Sequence, residues 1–381
     1  MEKVQENRCP ADSGLPVIRG VNLGGWLVLE KWMTPALFEG LRAPDETSFC
    51  RELGEKTSER LRPHHETFIT EPDFAWIATH GLNLVRIPVG HWLFGDKPPF
   101  IGAIDILDKA FVWAEQYGLR VLLDLHAAQG CQNGFDNGGI QNVCEWPLYP
   151  ENIDDSVRFI ERLAERYGPH PALWGIQLLN EPRWDVPIDV LRGYYERGYQ
   201  AVRQYAGEDA WVVFHDGFRF ALTGADEGAR VKEDLAPPLS KEQLSEITIW
   251  DGFLEGPEYR HVMLDTHIYQ THSEIHQIMD LFDHLDMMKN RLPMMEKMHT
   301  HWPVVVGEWS LGQPGRLTDG VGADRTDYVR KLYANLQLEL YERLDGWVFW
   351  NYKLSPESEA QMPVWSYRAS VEQGWLPASF R

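Results

Sequence analysis

No Cys-x-x-Cys pair occurs among the four cysteines of this 381-residue chain, Cys9, Cys50, Cys131 and Cys144. That removes zinc ribbons and dithiol redox chemistry. No apolar run approaches the ~20 residues of a membrane-spanning helix. The opening stretch, MEKVQENRCPADSG, lacks the apolar core of a secretory leader. The expectation is a cytoplasmic protein with free thiols, or a secreted one if a leader has been removed. Basic residues are scarce: 36 Lys and Arg face 57 Asp and Glu, a formal charge of −21. A field of that sign repels nucleic acid and anionic lipid and leaves a neutral substrate as the better partner. No Gly-x-Gly-x-x-Gly follows any apolar run, so a dinucleotide-binding fold has no support. No Gly/Ser or Pro-rich linker divides the chain.

Apolar residues make up 44% of the sequence, enough for a large core, and aromatics 12%, with 16 Trp. Flat rings with a polar edge suit sugar faces as well as protein interiors. Eight short β-rich runs recur: VIRGVNL (17–23), LNLVRIPV (82–89), LRVLLDLH (119–126), LWGIQLLN (173–180), AWVVFHDG (210–217), HVMLDTHIY (261–269), WPVVVGEW (302–309) and GWVFWNY (346–352). Amphipathic stretches such as 103–118, 155–168 and 326–346 lie between them. Continuous apolar strands alternating with helices indicate a parallel sheet covered on its outer face. Eight such units predict a single α/β domain, a (β/α)8 TIM barrel, spanning 17–381 after an N-terminal arm of residues 1–16. The stretches 127–150 and 219–261 are irregular and read as long loops walling an active site.

In such a barrel the C-terminal strand ends share one rim, where barrel enzymes place their chemistry. Here that rim collects Arg86, His126, Asn180, Glu181, His267, Tyr269, Glu308 and Trp350. Glu181 and Glu308, from the fourth and seventh runs, face each other across the mouth. Paired carboxylates serve retaining glycoside hydrolysis when about 5–5.5 Å apart: one protonates the leaving oxygen and the other attacks the anomeric carbon. Their pKa values must then differ. Glu308 is expected to be ionised, held so by Arg86 and the Tyr269 hydroxyl. Glu181 is expected to be protonated at rest, with His267 modulating that proton.

The ordered set LLNEP, VVGEWS, NLVRIP, DLHAA and DTHIY resembles glycoside hydrolase family 5. RGVNLGGWLVLEKWMTPALFEG (19–40), QNGFDNGG (132–139) and WSYRASVEQGWLP (365–377) resemble its fungal-type exo-β-1,3-glucanase branch, and the match runs from about residue 17 to 377. The resemblance implies Glu181 as acid/base and Glu308 as nucleophile. Asn180 would hold the sugar 2-hydroxyl, while Arg86, His267 and Tyr269 orient the carboxylates. Trp350 would be the floor under the terminal sugar. Glu30 and His126 would bind its hydroxyls, with Asp136 and Asn137 at the pocket edge. Phe135 matches one ring of a Phe–Phe clamp on the next sugar. The second clamp Phe is replaced by His272, and the cysteine set differs from secreted members. No metal or organic cofactor is implied.

The reading is a retaining enzyme releasing single glucose units from the non-reducing end of β-glucosides, of exo-β-1,3-glucanase type. One alternative is a β-glucosidase for lipid, sterol or flavonoid glucosides, which His272 favours. Another is a catalytically inactive carbohydrate-binding barrel, which the two intact carboxylates disfavour. The trio His272, Glu274 and His276 lacks a metal-protease spacing and reads as solvated loop or helix residues. PHHE (63–66) reads as an exposed helix start. Cys131 and Cys144 are close enough in sequence to pair.

Overall fold

The computed structural model describes residues 16–219, 249–272, 274–314, 317–318 and 322–380. The proposed arm therefore lies outside the described residues except at Pro16, and so does most of the 219–261 excursion.

Eight parallel strands close into a barrel in sequence order. They are β1 (Ile18–Asn22), β2 (Leu84–Gly90), β3 (Arg120–Ala127), β4 (Leu173–Gln177), β5 (Trp211–His215), β6 (Val262–Ile268), β7 (Val304–Trp309) and β8 (Gly346–Phe349). Each of the eight apolar runs coincides with one of them, β2 and β3 extending one residue past the run. The helices named below are α1 (Glu46–Leu53), α2 (Thr57–Thr67), α3 (Glu71–Thr79), α4 (Ile104–Gln116), α5 (Pro150–Tyr167) and α6 (Ile188–Ala206), followed by α7 (Glu274–Ile278), α8 (Leu281–His299) and α9 (Ala323–Tyr341).

The strands read as continuous apolar runs because both faces are covered. Residues pointing outward, such as Val85, Ile87, Leu123 and Leu125, join one large core with the helices. Residues pointing inward form a separate cluster at the barrel floor: Ile18, Leu84, Leu122, Trp174, Trp211, Val213, Met263, Val305 and Val348. Side chains alternate along a strand, so each inward stripe continues two residues on. Leu84 leads to Arg86, Leu122 to Asp124 and His126, Met263 to Asp265 and His267, and Val348 to Trp350. These stripes are apolar at their start, and the period-2 rule that builds the floor carries Arg86, His126, His267 and Trp350 to the mouth. On β7 and β4 the register shifts by one residue, which brings Glu308 and Gln177 inward out of that phase.

The PHHE segment departs from the sequence expectation. His64 and His65 lie in the last turn of α2 and are buried, where burial pushes their pKa values down to about 4 and about 3. The Trp26 indole donates to the His65 carbonyl, locking this turn beneath the barrel wall. Cys50, Cys131 and Cys144 are free thiols, so no Cys131–Cys144 disulfide forms. Met294, Met295 and Met298 are buried in α8, ahead of β7.

Candidate active site

Arg86 is the hub at the centre of the mouth. It is fully buried, and a buried guanidinium is tolerated only when its donors are paired. Nε donates to Gln177 Oε1 at 2.8 Å, and one terminal nitrogen to Asn22 Oδ1 at 2.7 Å and Glu308 Oε1 at 3.0 Å. The other donates to Asn180 Oδ1 at 2.7 Å and lies 3.0 Å from Asp124 Oδ2. Tyr269 Oη donates to Glu308 Oε2 at 2.8 Å. Glu308 is thus held by two donors on two strands.

Glu181 follows β4 with φ +41°, in the left-handed region. Such a backbone costs a non-glycine residue roughly 1–3 kcal/mol and persists where surrounding contacts impose it. Glu181 Oε2 accepts from Asn137 Nδ2 at 2.9 Å, and Asn133 Nδ2 donates to Asn137 Oδ1 at 3.0 Å, which turns the Asn137 amide toward the carboxylate.

His267 joins the two glutamates. Its Nδ1 lies 2.8 Å from Glu181 Oε1 and 3.4 Å from Glu308 Oε2, while Nε2 lies 3.1 Å from Asp265 Oδ2. Both ring nitrogens face carboxylates, so the ring satisfies both only as an imidazolium. Glu308 and Asp265 outweigh burial and raise the His267 pKa well above its usual value. Burial opposes ionisation of Asp265, but the charge and hydrogen bond of His267 lower its pKa; it also accepts from Gln177 and from the Gly307 amide, which donates at 2.7 Å. A Cβ at position 307 would stand 2.2 Å from that carboxylate, so only glycine admits it.

The charge states therefore differ from the sequence expectation. Burial opposes ionisation of Glu181, yet the His267 hydrogen bond and charge win and bring its pKa down to about 2. Glu308 is pushed up, by burial first and Glu181 second, against His267 and Arg86. Glu181 was expected to carry the resting proton and Glu308 to be the firmly ionised partner. The pKa directions instead favour an ionised Glu181 2.8 Å from a charged His267. His267 lies closer to Glu181 than to Glu308 and hydrogen-bonds it, which lowers the Glu181 pKa, while the Glu308 and Asp265 charges do most to raise its own.

The remaining predicted residues line the same mouth. His126 donates or accepts through Nδ1 at 2.6 Å with Asp124, and its ring lies parallel to Trp350 at 5.4 Å. His126 Nε2 and Asn180 Nδ2 are buried and find no partner among the described residues. Trp350 is 3% exposed and packs with Met33, Leu354, Trp32, Tyr269 and Trp365. Gly24 lies against its ring, and a Cβ there would come within 2.5 Å. Glu30 is buried and accepts from the Trp32 indole at 2.8 Å. Burial, then the nearby Asp136 charge, raises its pKa well above the carboxylate range, and burial raises Asp136 as well.

Phe135 and His272 stand on the outer side of the mouth. Phe135 is 6.5 Å from Trp184, which is 6.5 Å from Phe218. His272 is exposed, 5.5 Å from the Tyr269 ring and 5.9 Å from Trp365. The trio set aside as solvated loop or helix does not gather: Glu274 and His276 lie in α7, where His276 is buried rather than solvated, and the described residues place three metal-capable side chains together only at Glu181, His267 and Glu308.

Sequence reasoning missed several members. Asp124 and Asp265 precede His126 and His267 by two positions, an Asp-x-His pattern legible on both strands. Gln177 and Asn22 bond Arg86 from β4 and β1. His215 ends β5 with its ring 4.4 Å from His267 and perpendicular to it, and burial pushes its pKa down to about 3. Its place at a strand end in VVFHDG was the available signal.

Comparison with known proteins matches residues 54–355 to cellulase (glycosyl hydrolase family 5). A protein of Emericella nidulans named probable glucan 1,3-beta-glucosidase A is 33% identical over 405 residues, covering 94% of this chain and 90% of that one. Glucan 1,3-beta-glucosidase of Blumeria graminis is 32% identical over 420 residues, covering 98% and 90%. Among solved structures, rutinosidase from Aspergillus niger superimposes with a TM-score of 0.72 at 20% identity over 94% of this chain and 97% of that one, a likeness of fold. This chain belongs to glycoside hydrolase family 5 and is a glycoside hydrolase.

Proposed function

We propose that residues 17–381 form one catalytic domain that hydrolyses β-glucosides with retention, releasing single glucose units from the non-reducing end of β-1,3-linked glucan. The observation that carries this is the spacing of the two glutamates. One oxygen of each and a ring nitrogen of His267 lie within 4.8 Å of one another. Inverting enzymes need about 6.5–9.5 Å to admit a water, whereas retaining ones bring the carboxylates to roughly 5–5.5 Å.

Glu308 attacks the anomeric carbon and forms a glycosyl–enzyme ester. Arg86 and Tyr269 aim its two oxygens and stabilise its charge. Glu181 protonates the departing oxygen and later takes a proton from the water that cleaves the ester. The proton it needs is stored on His267 and crosses one hydrogen bond as the leaving oxygen develops charge. This assigns the acid role to the glutamate beside the stored proton, although that glutamate rests ionised. Asn180 Nδ2 and His126 Nε2, buried donors or acceptors without a protein partner, serve the hydroxyls of the terminal sugar. Trp350 is its floor, and Glu30, Asp136 and Asn137 close the pocket behind it. Phe135 and His272 flank the leaving group.

The relatives named for 1,3-glucan support the polymer reading. His272 beside Tyr269 and Trp365, where that branch has a second clamp ring, favours a hydrophobic aglycone as the second reading. Catalytic efficiencies on laminaribiose, gentiobiose, cellobiose and hydrophobic glucosides separate the two, since faster turnover of the last group refutes the glucanase assignment. Glu308→Ala and Glu181→Ala each abolish turnover of unactivated glucosides, and azide rescues Glu181→Ala on an activated aryl glucoside. Full activity of Glu181→Ala on unactivated substrates overturns the mechanism. The free thiols support a cytoplasmic site of action, which cell fractionation tests. Among the described residues no helix is long and apolar enough to cross a membrane.

A further inference from the structure

The closed end of the cleft is made by two loops from different strands. One follows β1 and carries Glu30; the other follows β3 and carries Phe135, Asp136 and Asn137. Their acidic groups oppose each other, since the Asp136 charge is the second cause, after burial, of the raised Glu30 pKa. Burial and the Asp136 charge favour the neutral form of Glu30, so the two walls meet only where other contacts hold them together.

The opening of α1 bonds to both walls. Glu46 Oε2 accepts from the Leu29 amide, next to Glu30, at 2.7 Å. Thr47 donates twice to the Gly139 carbonyl, from its amide at 3.0 Å and its hydroxyl at 2.6 Å. Asp45 caps the helix through Oδ1 and accepts from the Gln141 amide through Oδ2 at 2.9 Å. Trp92 fills the space between the walls. It packs with Val28 of the first loop and Ala127 at the start of the second, and its ring edge lies against Gly139.

Three consecutive side chains thus reach two loops that are about 100 residues apart in sequence, and the bonds at Glu46 and Thr47 are buried. A cap that served only its own helix would stop at Asp45 and Ser48. We propose that Asp45, Glu46 and Thr47 are positioning residues, a bracket that sets the width of the closed end. It holds Glu30 against Asp136 and, through Asn137, fixes the orientation of Glu181. The inference rests on the glucose pocket proposed above.

Two readouts test it. Thr47→Val keeps the side-chain volume and removes the hydroxyl bond. It raises KM for para-nitrophenyl β-glucoside by roughly fivefold, the worth of one hydrogen bond, with a smaller change in kcat; Thr47→Ser restores it. Amide hydrogen exchange needs no substrate and so stands apart from the assignment of Glu181 and Glu308. Thr47→Val and Glu46→Ala each speed exchange in both loops, residues 24–34 and 130–142, because releasing one wall releases the other; Glu46→Gln, which keeps an acceptor for Leu29, reverses the effect. Exchange that changes only in the loop whose bond was cut, or a Thr47→Val enzyme with KM and exchange within twofold of the parent, overturns the bracket. Should Glu46→Ala fail to fold, Thr47→Val and Asp45→Asn give the same two readings.

Discussion

Replacing His267 by Gln isolates the stored proton. His267 lowers the Glu181 pKa from 4.5 to about 2 despite full burial. At ~1.36 kcal/mol per unit that difference is roughly 3 kcal/mol, to which His267 contributes first and His215 and Asn137 after it, against burial. The coupling is reciprocal, so Glu181 helps to hold the proton on His267, after Glu308 and Asp265. The pair therefore titrates as a unit that gives up its proton at the raised His267 pKa, well above 6.5. In a retaining glycosidase the alkaline limb of kcat/KM marks loss of the proton needed by the leaving group. In the parent enzyme this limb follows the His267–Glu181 pair. In His267→Gln it falls to the Glu181 carboxyl alone, which burial and the Glu308 charge leave at or above the ordinary carboxylate range. Asp265 keeps its bonds from Gln177 and Gly307 but loses the His267 charge that chiefly lowers its pKa, so it too moves up toward the ordinary range. The assay is kcat/KM against pH on a glucoside with a poor leaving group, beside an aryl glucoside with a good one. The alkaline limb shifts acid by at least about one unit on the first substrate, and the second is far less affected because it needs little protonation. Superimposable alkaline limbs for parent and variant on the poor substrate refute the stored-proton account.

Other changes probe the frame around that pair. Burial lifts the Glu46 pKa from 4.5 to about 8, so the folded state binds the extra proton and stability falls as pH rises through that window, by about 5 kcal/mol for this group at ~1.36 kcal/mol per unit. Glu46→Gln removes the titration, and its melting temperature declines less than the parent's between pH 5 and 8; parallel declines contradict the shift. Gly24→Ala drives a methyl into the Trp350 ring, costing about 1–3 kcal/mol by overpacking and at least tenfold in kcat/KM, and unchanged melting and turnover exclude that contact as a constraint. Asn137→Ala removes one donor from ionised Glu181; it lowers kcat on unactivated glucosides more than on activated ones, and an equal loss on both denies it a role through Glu181.

The barrel was legible because continuous apolar runs and intervening helical stretches are local properties. Each of the eight runs became a strand, and Arg86, His126 and His267 followed from alternation, whereas Glu308 and Gln177 point inward through register shifts on β7 and β4 that alternation does not foresee. Glu181 and Glu308 stood out because a carboxylate ending an apolar run has an unusual position in the sequence itself. The Asp-x-His pairs on β3 and β6 were equally open to that rule. His64 and His65 were misjudged because polarity suggested exposure, whereas the packing of α2 against the Trp26 loop buried them.

What the chain determined by itself was therefore the ring of strands, the floor of apolar side chains and the set of polar groups at the mouth. Only the tertiary structure decided which glutamate lies nearer His267, and so where the proton rests, since a 2.8 Å against a 3.4 Å separation has no local signature. It alone brought Asp45, Glu46 and Thr47 against two loops distant in sequence. Electrostatic energy and burial depend on distances between groups that the chain order leaves far apart, and those distances exist only once the barrel has closed.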